Sequence, residues 1–168
     1  YCGDWQTSHR AACKQYAVDN SLAIDEPRDI VIASCGGYPH DINMIQAHKA
    51  LDSASRACKE GGTIVLLAEC SDGTGRADFI DWFNTDNSEA LAAKLCEKYQ
   101  VNGQTAWSLL RKAERHRVEI LSTMDEQTTN KMRLRKIEVS RLMELSRGTG
   151  LKGYILPNGA RTAIKITD

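Results

Sequence analysis

Two short runs of apolar, largely β-branched residues stand out along the chain, at positions 29–34 and 63–68. Runs with so few polar interruptions are typical of strands that are covered on both faces of a sheet. Between them lies a helical pattern at 41–59, with apolar residues at Met44, Ile45, Ala47, Leu51, Ala54 and Cys58. We expect the glycine pair Gly61-Gly62 to end this helix. Strand, helix and strand in this order predict a parallel βαβ unit.

The rest of the pattern extends this unit in both directions. Helical spacing predicts further helices at 4–19, around 78–83, from a cap at Ser88 onward, at 105–115, and at 140–147 before Gly148. Apolar runs predict strands at 118–122, 154–156 and 163–166. Because Asn158-Gly159 is a strong turn signal, we expect the last two strands to pair with each other. The prediction is one three-layer α/β domain, with a mostly parallel sheet flanked by helices and a C-terminal strand pair.

Composition narrows the function classes. The chain has 168 residues, 22 basic and 22 acidic side chains, and only 6% aromatic residues. A zero net charge gives no broad positive field for nucleic acid or for an anionic membrane. The longest apolar run, at 64–68, is far too short to cross a bilayer, and no signal peptide is visible, so we expect a cytoplasmic protein. The chain begins at Tyr1 without an initiator Met, which leads us to expect a piece of a longer protein.

The six cysteines form no C-x-x-C pair and no zinc-finger spacing with histidine. We therefore interpret them as reduced, mostly buried thiols rather than disulfide partners.

The most informative stretch is the corner between the first predicted strand and the helix after it. Gly36 and Gly37 allow the backbone to turn sharply and to approach a ligand closely. Asp41 is placed to cap the helix. Gln46 and Lys49 lie three residues apart and therefore share one helical face. An amide and an ammonium at the carboxyl edge of a parallel sheet indicate a site for a small anion.

Each of these residues also has an ordinary structural explanation. Lys49 could be a surface lysine paired with Asp52, and Gln46 could be a solvated amide. Trp107 at helical spacing is more often a core residue than a ligand wall. The four histidines are scattered along the chain. The turn at 73–75 is better explained as a structural turn at the sheet edge than as a phosphate-binding loop, because neither G-x-G-x-x-G nor the P-loop pattern is present.

The same stretch carries a family resemblance. The string S-x-G-G-x-P-x-D-x-N at 34–43, followed by Q-x-x-K at 46–49, G-G-T-I at 61–64 and L-A-E-C at 67–70, resembles the C-terminal domain of the nickel-pincer lactate racemase family. The match continues through F-I-D-W at 79–82, G-Q-T-A-W at 103–107, V-E-I-L-S at 118–122 and L-P-N-G at 156–159. The resemblance spans nearly the whole chain.

This resemblance implies a two-domain isomerase, a 2-hydroxy-acid racemase or epimerase. A nickel-pincer nucleotide on the N-terminal domain would accept a hydride from the substrate and return it, and the C-terminal domain would close over the cleft. Gln46 and Lys49 match the substrate-contacting glutamine and lysine of the family, and Trp107 matches an aromatic residue at the cleft. Gly36 and Gly37 would form a loop at the substrate.

The chain departs from the family at two points. The lactate enzyme has a tyrosine immediately before the glutamine, and this chain has Ile45 there. An apolar side chain at that position indicates another, bulkier 2-hydroxy acid as substrate. The nickel-cofactor domain is absent from residues 1–168, so we expect the isolated chain to hold no nickel and to catalyse no racemisation. The alternative is a stand-alone α/β binding or interaction module without catalysis. A third interpretation, a Rossmann nucleotide-binding domain, is weakened because the G-x-G-x-x-G fingerprint is missing.

Overall fold

A five-stranded parallel sheet forms the centre of the computed structural model, which describes residues 1–147, 150 and 152–167. The described residues form seven strands in two sheets: β1 (Ser21–Ile24), β2 (Arg28–Ser34), β3 (Cys58–Leu67), β4 (Arg117–Leu121), β5 (Arg135–Lys136), β6 (Gly153–Leu156) and β7 (Ala163–Ile166). The helices are α1 (Trp5–Asn20), α2 (Met44–Ala57), α3 (Ser88–Glu97), α4 (Val101–Arg115), α5 (Glu126–Lys131) and α6 (Val139–Ser146), and a 3₁₀ turn spans Ile80–Phe83.

The order of strands in the central sheet is β5-β4-β3-β2-β6, and every neighbouring pair is parallel. The two apolar runs identified from the sequence form the middle of this sheet, where Val31 lies beside Ile64 in the β2–β3 register. Both side chains are fully buried. The prediction of an α/β domain with a mostly parallel sheet flanked by helices is therefore confirmed, as is the βαβ unit formed by β2, α2 and β3.

The predicted ends of α2 are wrong at both termini. The helix is capped by Asn43 rather than Asp41, and it ends at Ala57, before Gly61-Gly62. Those glycines lie inside β3, where the register shifts from the Arg28–Cys58 pair to the Ile30–Thr63 pair. A Cβ on Gly62 would lie 2.8 Å from the carbonyl oxygen of Asp29. The glycine pair therefore serves a β-bulge, not a helix stop.

The predicted C-terminal strand pair is also wrong. β6 joins the central sheet beside β2, and β7 pairs in parallel with β1 in a separate two-stranded sheet. The turn at 157–160 does not close a hairpin, because it carries the chain from one sheet to the other. Its Gly159 N–H donates to the carbonyl of Ser34 at 2.7 Å, at the end of β2.

Smaller differences concern helix ends and burial. Asn87, not Ser88, caps α3, and α4 begins at Val101, four residues earlier than predicted. On α3, Leu91 is fully buried whereas Cys96 and Tyr99 beyond it are exposed. The helix predicted at 140–147 corresponds to α6, and the closing residue expected for it, Gly148, lies outside the described residues.

The six cysteines are free thiols, but only half of them are buried. Cys35, Cys58 and Cys70 lie in the core, whereas Cys2, Cys13 and Cys96 are exposed. The expectation that most of the cysteines are buried is therefore wrong. In the part of the chain that the structure describes, every helix is too short or too polar to span a bilayer.

Candidate functional site

The first turn of α2 is fixed at the carboxyl edge of the sheet by Asn43. Its Oδ1 accepts from the backbone N–H of Gln46 at 3.0 Å, and its Nδ2 donates to Asp72 Oδ2 at 3.2 Å. The next backbone N–H, of Met44, donates to the carbonyl of Gly73 at 3.0 Å. The glycine-rich turn after β3 is thus attached to the start of α2. Sequence reasoning missed Asn43, although asparagine three residues before glutamine is a readable capping signal.

Gln46 and Lys49 form a direct pair on the first turns of α2. The Lys49 ammonium donates to Gln46 Oε1 at 2.7 Å. The predicted shared face is therefore observed. The alternative in which Lys49 pairs with Asp52 is wrong, because Asp52 contacts Lys112 at 2.9 Å and Arg56 at 3.5 Å.

This pair presents donors to solvent. Lys49 is exposed and Gln46 is half-buried. Since Oε1 of Gln46 already accepts from Lys49, the amide NH₂ and the remaining ammonium protons are left as donors. Three kinds of ligand atom suit such a donor set: carboxylate, carbonyl and hydroxyl oxygens. Because one donor carries a full positive charge, a carboxylate is bound best.

The turn at 157–162 packs along the same flank of α2. Ser53 Oγ donates to the carbonyl of Thr162 at 2.6 Å, and Gly159 lies against Ala50 so closely that a Cβ there would approach the Ala50 Cβ to 3.0 Å. Gln46, Ala50 and Ser53 are spaced by four and three residues and therefore share one face. This turn consequently lies beside the Gln46–Lys49 pair.

A second cation lies on that turn. Arg161 Nε donates to His40 Nε2 at 3.0 Å, which ties the turn to the loop that precedes α2. Because a guanidinium can only donate, His40 Nε2 is the acceptor of this hydrogen bond. Sequence reasoning missed Arg161, since a residue more than a hundred positions from Lys49 gives no local signal.

The two glycines after β2 have different surroundings. Gly36 has φ +94°, and a Cβ there would lie 2.8 Å from Asn158 Oδ1. Gly37 has φ +78°, and a Cβ there would have no atom within 4 Å. Gly37 lines a cavity of about 440 Å³ at the carboxyl edge of the sheet, together with Ser34, Asp41, Glu69 and Ser122. Gly36 is exposed and Gly37 is half-buried, so both glycines stay accessible, but only Gly37 has room for an added side chain.

Trp107 lies on α4, beside the later turns of α2. It is half-buried on α4 under the guanidinium of Arg111, whose Cζ is 4.8 Å from the ring centroid. The cavity of about 200 Å³ that it lines is bounded by Asp52 and Ser55 of α2 and by the second half of α4. Gln46 and Lys49 are not among the residues that line this cavity. The structure therefore does not bring Trp107 together with the Gln46–Lys49 pair.

Ile45 and His48 are the immediate sequence neighbours of Gln46 and Lys49 on α2. Ile45 is half-buried and packs against the hydrophobic core. His48 Nδ1 lies 2.5 Å from the carbonyl of Ile45, and burial lowers the pKa of the imidazole below its ordinary value. A neutral histidine that donates to a backbone carbonyl one turn earlier is a structural group.

The buried thiols are unsuited to nucleophilic chemistry. Burial raises the pKa of Cys35 to about 12 and that of Cys70 to about 11. Both therefore stay protonated at neutral pH. Among residues 1–147, 150 and 152–167, no group of three His, Cys, Asp or Glu side chains is placed to hold a metal ion.

Comparison with known proteins identifies relatives of this arrangement. The family model for the lactate racemase C-terminal domain matches residues 24–145. The lactate racemase of Thermoanaerobacterium thermosaccharolyticum is 39% identical over 83 residues, which are 49% of this chain and 19% of that protein. The lactate racemase of Lactiplantibacillus plantarum is 40% identical over 80 residues, which are 47% of this chain and 18% of that protein.

Solved structures extend the similarity over almost the whole chain. The lactate racemase apoprotein from T. thermosaccharolyticum superposes with a TM-score of 0.81 and 26% identity, covering 94% of this chain and 40% of that one. A Thermotoga maritima protein superposes with a TM-score of 0.65 at 14% identity, covering 95% of this chain and 42% of that one, which shows a shared fold alone. The chain thus spans well under half the length of the proteins it matches.

Proposed function

This chain belongs to the lactate racemase C-terminal domain family, and we propose that it is the substrate-closing domain of a two-domain 2-hydroxy-acid racemase or epimerase. In this proposal an N-terminal domain of the same protein carries the reaction centre. The observation that carries the proposal is the Gln46–Lys49 pair, held at 2.7 Å on the first turns of α2. It supplies a charged donor and an amide donor where a small acid would enter.

The role of the pair is to bind and orient the substrate. The Lys49 ammonium pairs with the substrate carboxylate, and the Gln46 amide donates to a second oxygen, either of the carboxylate or of the 2-hydroxyl group. Two donors of different reach fix the rotation of the acid about its Cα–carboxylate bond. Because catalysis at Cα depends on which face is presented, this orientation contributes to rate as well as to affinity.

The glycine loop and its neighbours complete the proposed pocket. Gly37 leaves the cavity at the sheet edge open, and Asn43 holds the first turn of α2 at that edge. Closure of this surface against the N-terminal domain would exclude water from the bound acid, which strengthens the Lys49–carboxylate contact. Trp107 lines a different cavity from Gly37, so we assign it to the rim of the closed pocket.

A nickel-pincer nucleotide is the cofactor that the family implies for the full-length protein. The donor set of this chain does not fit that group, because the described residues offer no cluster of metal-ligating side chains. We therefore assign the cofactor to the N-terminal domain and give this chain no step of its chemistry. The chain alone is proposed to be inactive and to bind no nickel.

The substrate is proposed to be a 2-hydroxy acid bulkier than lactate. Ile45 directly precedes Gln46 on α2, where the lactate enzyme has a tyrosine, and it packs against the core. A phenol at this position offers a hydrogen bond, whereas isoleucine offers only apolar contact. A larger apolar substituent on the substrate would gain from that contact.

The experiment is a racemisation screen with the full-length protein loaded with its cofactor, over lactate and a panel of larger 2-hydroxy acids. The proposal expects interconversion of the two enantiomers of at least one larger acid, with lactate slower. If no 2-hydroxy acid is racemised by the loaded protein, the chain is better explained as a stand-alone binding module, the second candidate.

A further inference from the structure

A second cationic site lies further along α2, where this helix packs beside α4, and neither Gln46 nor Lys49 lines it. The cavity between α2 and α4 has a volume of about 200 Å³ and is lined by Asp52, Ser55, Arg56, Trp107, Ser108, Arg111, Lys112 and Arg115. Four of these eight side chains are cationic and one is a carboxylate. In a chain with zero net charge, such a local excess requires an explanation.

Lys112 lines this cavity, and its ammonium group is fully engaged in hydrogen bonds. Its side chain is only 12% exposed, and its ammonium donates to Ser108 Oγ at 2.7 Å, to the Ser108 carbonyl at 3.1 Å and to Asp52 Oδ1 at 2.9 Å. These three contacts account for its three protons. Lys112 therefore connects α4 to α2 and neutralises the charge of Asp52, and its ammonium has no proton left to donate to a ligand.

The other wall residues are also constrained. Ser55 Oγ lies 3.1 Å from Nε2 of the buried His116, whose Nδ1 lies 3.1 Å from the carbonyl of Lys59. Since a carbonyl only accepts, Nδ1 carries the proton and Nε2 accepts from Ser55. The serine hydroxyl is thereby committed to the histidine, which leaves the guanidinium groups as donors for a ligand.

Arg111 and Arg115 are the two guanidinium groups on the α4 wall of the cavity. Among the described residues, no carboxylate pairs with either guanidinium, and Arg111 instead stacks on Trp107 at 4.8 Å. Stacking on an indole holds a guanidinium in one plane, so its N–H groups face outward in a fixed fork. Arg56, the third guanidinium, touches only one oxygen of Asp52, at 3.5 Å. Three guanidinium groups thus surround one small volume.

We propose that this α2–α4 cavity binds the phosphoryl group of a small organic phosphate or of inorganic phosphate. Guanidinium forks match the oxygens of phosphate, and three of them suit a dianion better than a single carboxylate. The volume is below the roughly 300–1,000 Å³ of drug-sized ligand pockets, as expected for a site that takes one anionic group. The site is separate from the Gln46–Lys49 pair, so it does not depend on the proposed racemase function.

The test is an NMR titration of the ¹⁵N-labelled 168-residue chain with inorganic phosphate, followed at the Trp107 indole N–H and at the amides of α2 and α4. Sodium acetate at equal ionic strength is the carboxylate control, and phenyl phosphate tests an organic phosphate against the free ion. We expect saturable shifts confined to the cavity, with phosphate binding in the millimolar range and acetate at least tenfold weaker.

Variants assign the binding to the guanidinium groups. Arg111→Gln and Arg115→Gln are each expected to weaken phosphate binding about tenfold or more, the loss of one charge-assisted contact. The matched control is Arg117→Gln, an exposed arginine on β4 that donates to the carbonyl of Gly61, and it should leave binding unchanged. The spectra of the ligand-free variants show whether each remains folded. Arg115→Gln leaves the Arg111–Trp107 stack in place, so it carries the test if Arg111→Gln does not fold.

Three results would overturn the proposal: shifts that do not saturate or that spread over the whole surface, acetate binding as tightly as phosphate, or Arg117→Gln weakening binding as much as the cavity variants.

Discussion

Asn43 and Gly75 are in such close contact that a Cβ on Gly75 would lie 2.5 Å from the Asn43 Cγ. Asn43 caps the helix that carries Gln46 and Lys49, so the turn after β3 holds the helix start in place. This contact links the second glycine-rich turn to the geometry of the proposed substrate site.

The first prediction concerns that contact. Gly75→Ala should destabilise the chain by about 2–4 kcal/mol, because it combines a positive φ with a side-chain overlap. Gly73→Ala is the matched control, since Gly73 also has a positive φ but no atom within 4 Å of an added Cβ. It should cost only about 1–2 kcal/mol. Urea unfolding measures the free energy of unfolding of both variants. Equal decreases would show that the overlap with Asn43 does not add to the cost of the Gly75 substitution.

A second prediction concerns the cap itself. Asn43→Ala removes the acceptor for the Gln46 N–H and should cost about 1 kcal/mol, within the usual range for loss of a helix cap. Asn43→Asp keeps the acceptor and should recover most of that loss. In the full-length protein, Asn43→Ala should also raise the KM for the acid, because the first turn carries Gln46. Equal stability of the alanine and aspartate variants would contradict the capping role.

The glycine loop allows another paired comparison. Gly36→Ala would place a Cβ 2.8 Å from Asn158 Oδ1 and should separate the loop from the turn at 157–160. Gly37→Ala has the same kind of backbone strain without that overlap. We expect Gly36→Ala to be the more destabilising by about 1–3 kcal/mol in urea unfolding. If Gly37→Ala lowers the free energy of unfolding as much as Gly36→Ala does, backbone strain alone explains both effects.

Acid should weaken the fold in a histidine-dependent window. Burial lowers the pKa of His116 and of His48 in the folded chain, so the unfolded chain binds protons more readily below about pH 6.5. Their contribution to stability is therefore complete above about pH 6.5 and is lost as pH falls below it. The free energy of unfolding should decrease from about pH 7 to about pH 5.5.

The variant His116→Asn tests the source of that decrease. It should be less stable than the parent at neutral pH, because the contacts with Ser55 and Lys59 are changed, but should show a smaller loss on acidification over the same window. His9→Asn, on the exposed helix α1, is the control and should keep the parent's pH dependence. An unchanged pH slope in His116→Asn would exclude this histidine as the titrating group.

Substrate preference should respond to the residue before Gln46. In the full-length protein, Ile45→Tyr should raise kcat/KM for lactate relative to a larger 2-hydroxy acid by about tenfold, a typical effect of one added contact in a substrate pocket. Ile45→Leu keeps the apolar character and serves as control. A ratio that is the same in all three proteins would show that this position does not face the substrate.

The sequence allowed the central part of the fold to be predicted because its signals are local. The apolar runs of β2 and β3 contain buried residues on both faces of the sheet, and the spacing of Met44, Ala47 and Leu51 indicates the buried face of α2. The Gln46–Lys49 pair followed from helical spacing in the same way. The family string added the expectation of a substrate role, which the geometry alone would leave open.

The errors arose where the partner of a segment is distant in the chain. Whether β7 pairs with β6 or with β1 is decided by contacts more than a hundred residues away, and the Asn158-Gly159 turn signal is equally strong for both. Gly61-Gly62 has the composition of a helix stop, but the extra residues of β3 opposite the Arg28–Ile30 segment need a bulge. Arg161 was missed for the same reason, because only the folded turn brings it to His40.

The most direct measurement of the central claim is kcat/KM for the accepted 2-hydroxy acid in the full-length, cofactor-loaded protein with Lys49→Ala, beside Lys14→Ala on the exposed helix α1. Loss of one charge-assisted contact predicts a decrease of about 10- to 100-fold for Lys49→Ala and no change for Lys14→Ala. Activity of Lys49→Ala equal to that of the parent would contradict the assignment of this helix face to the substrate.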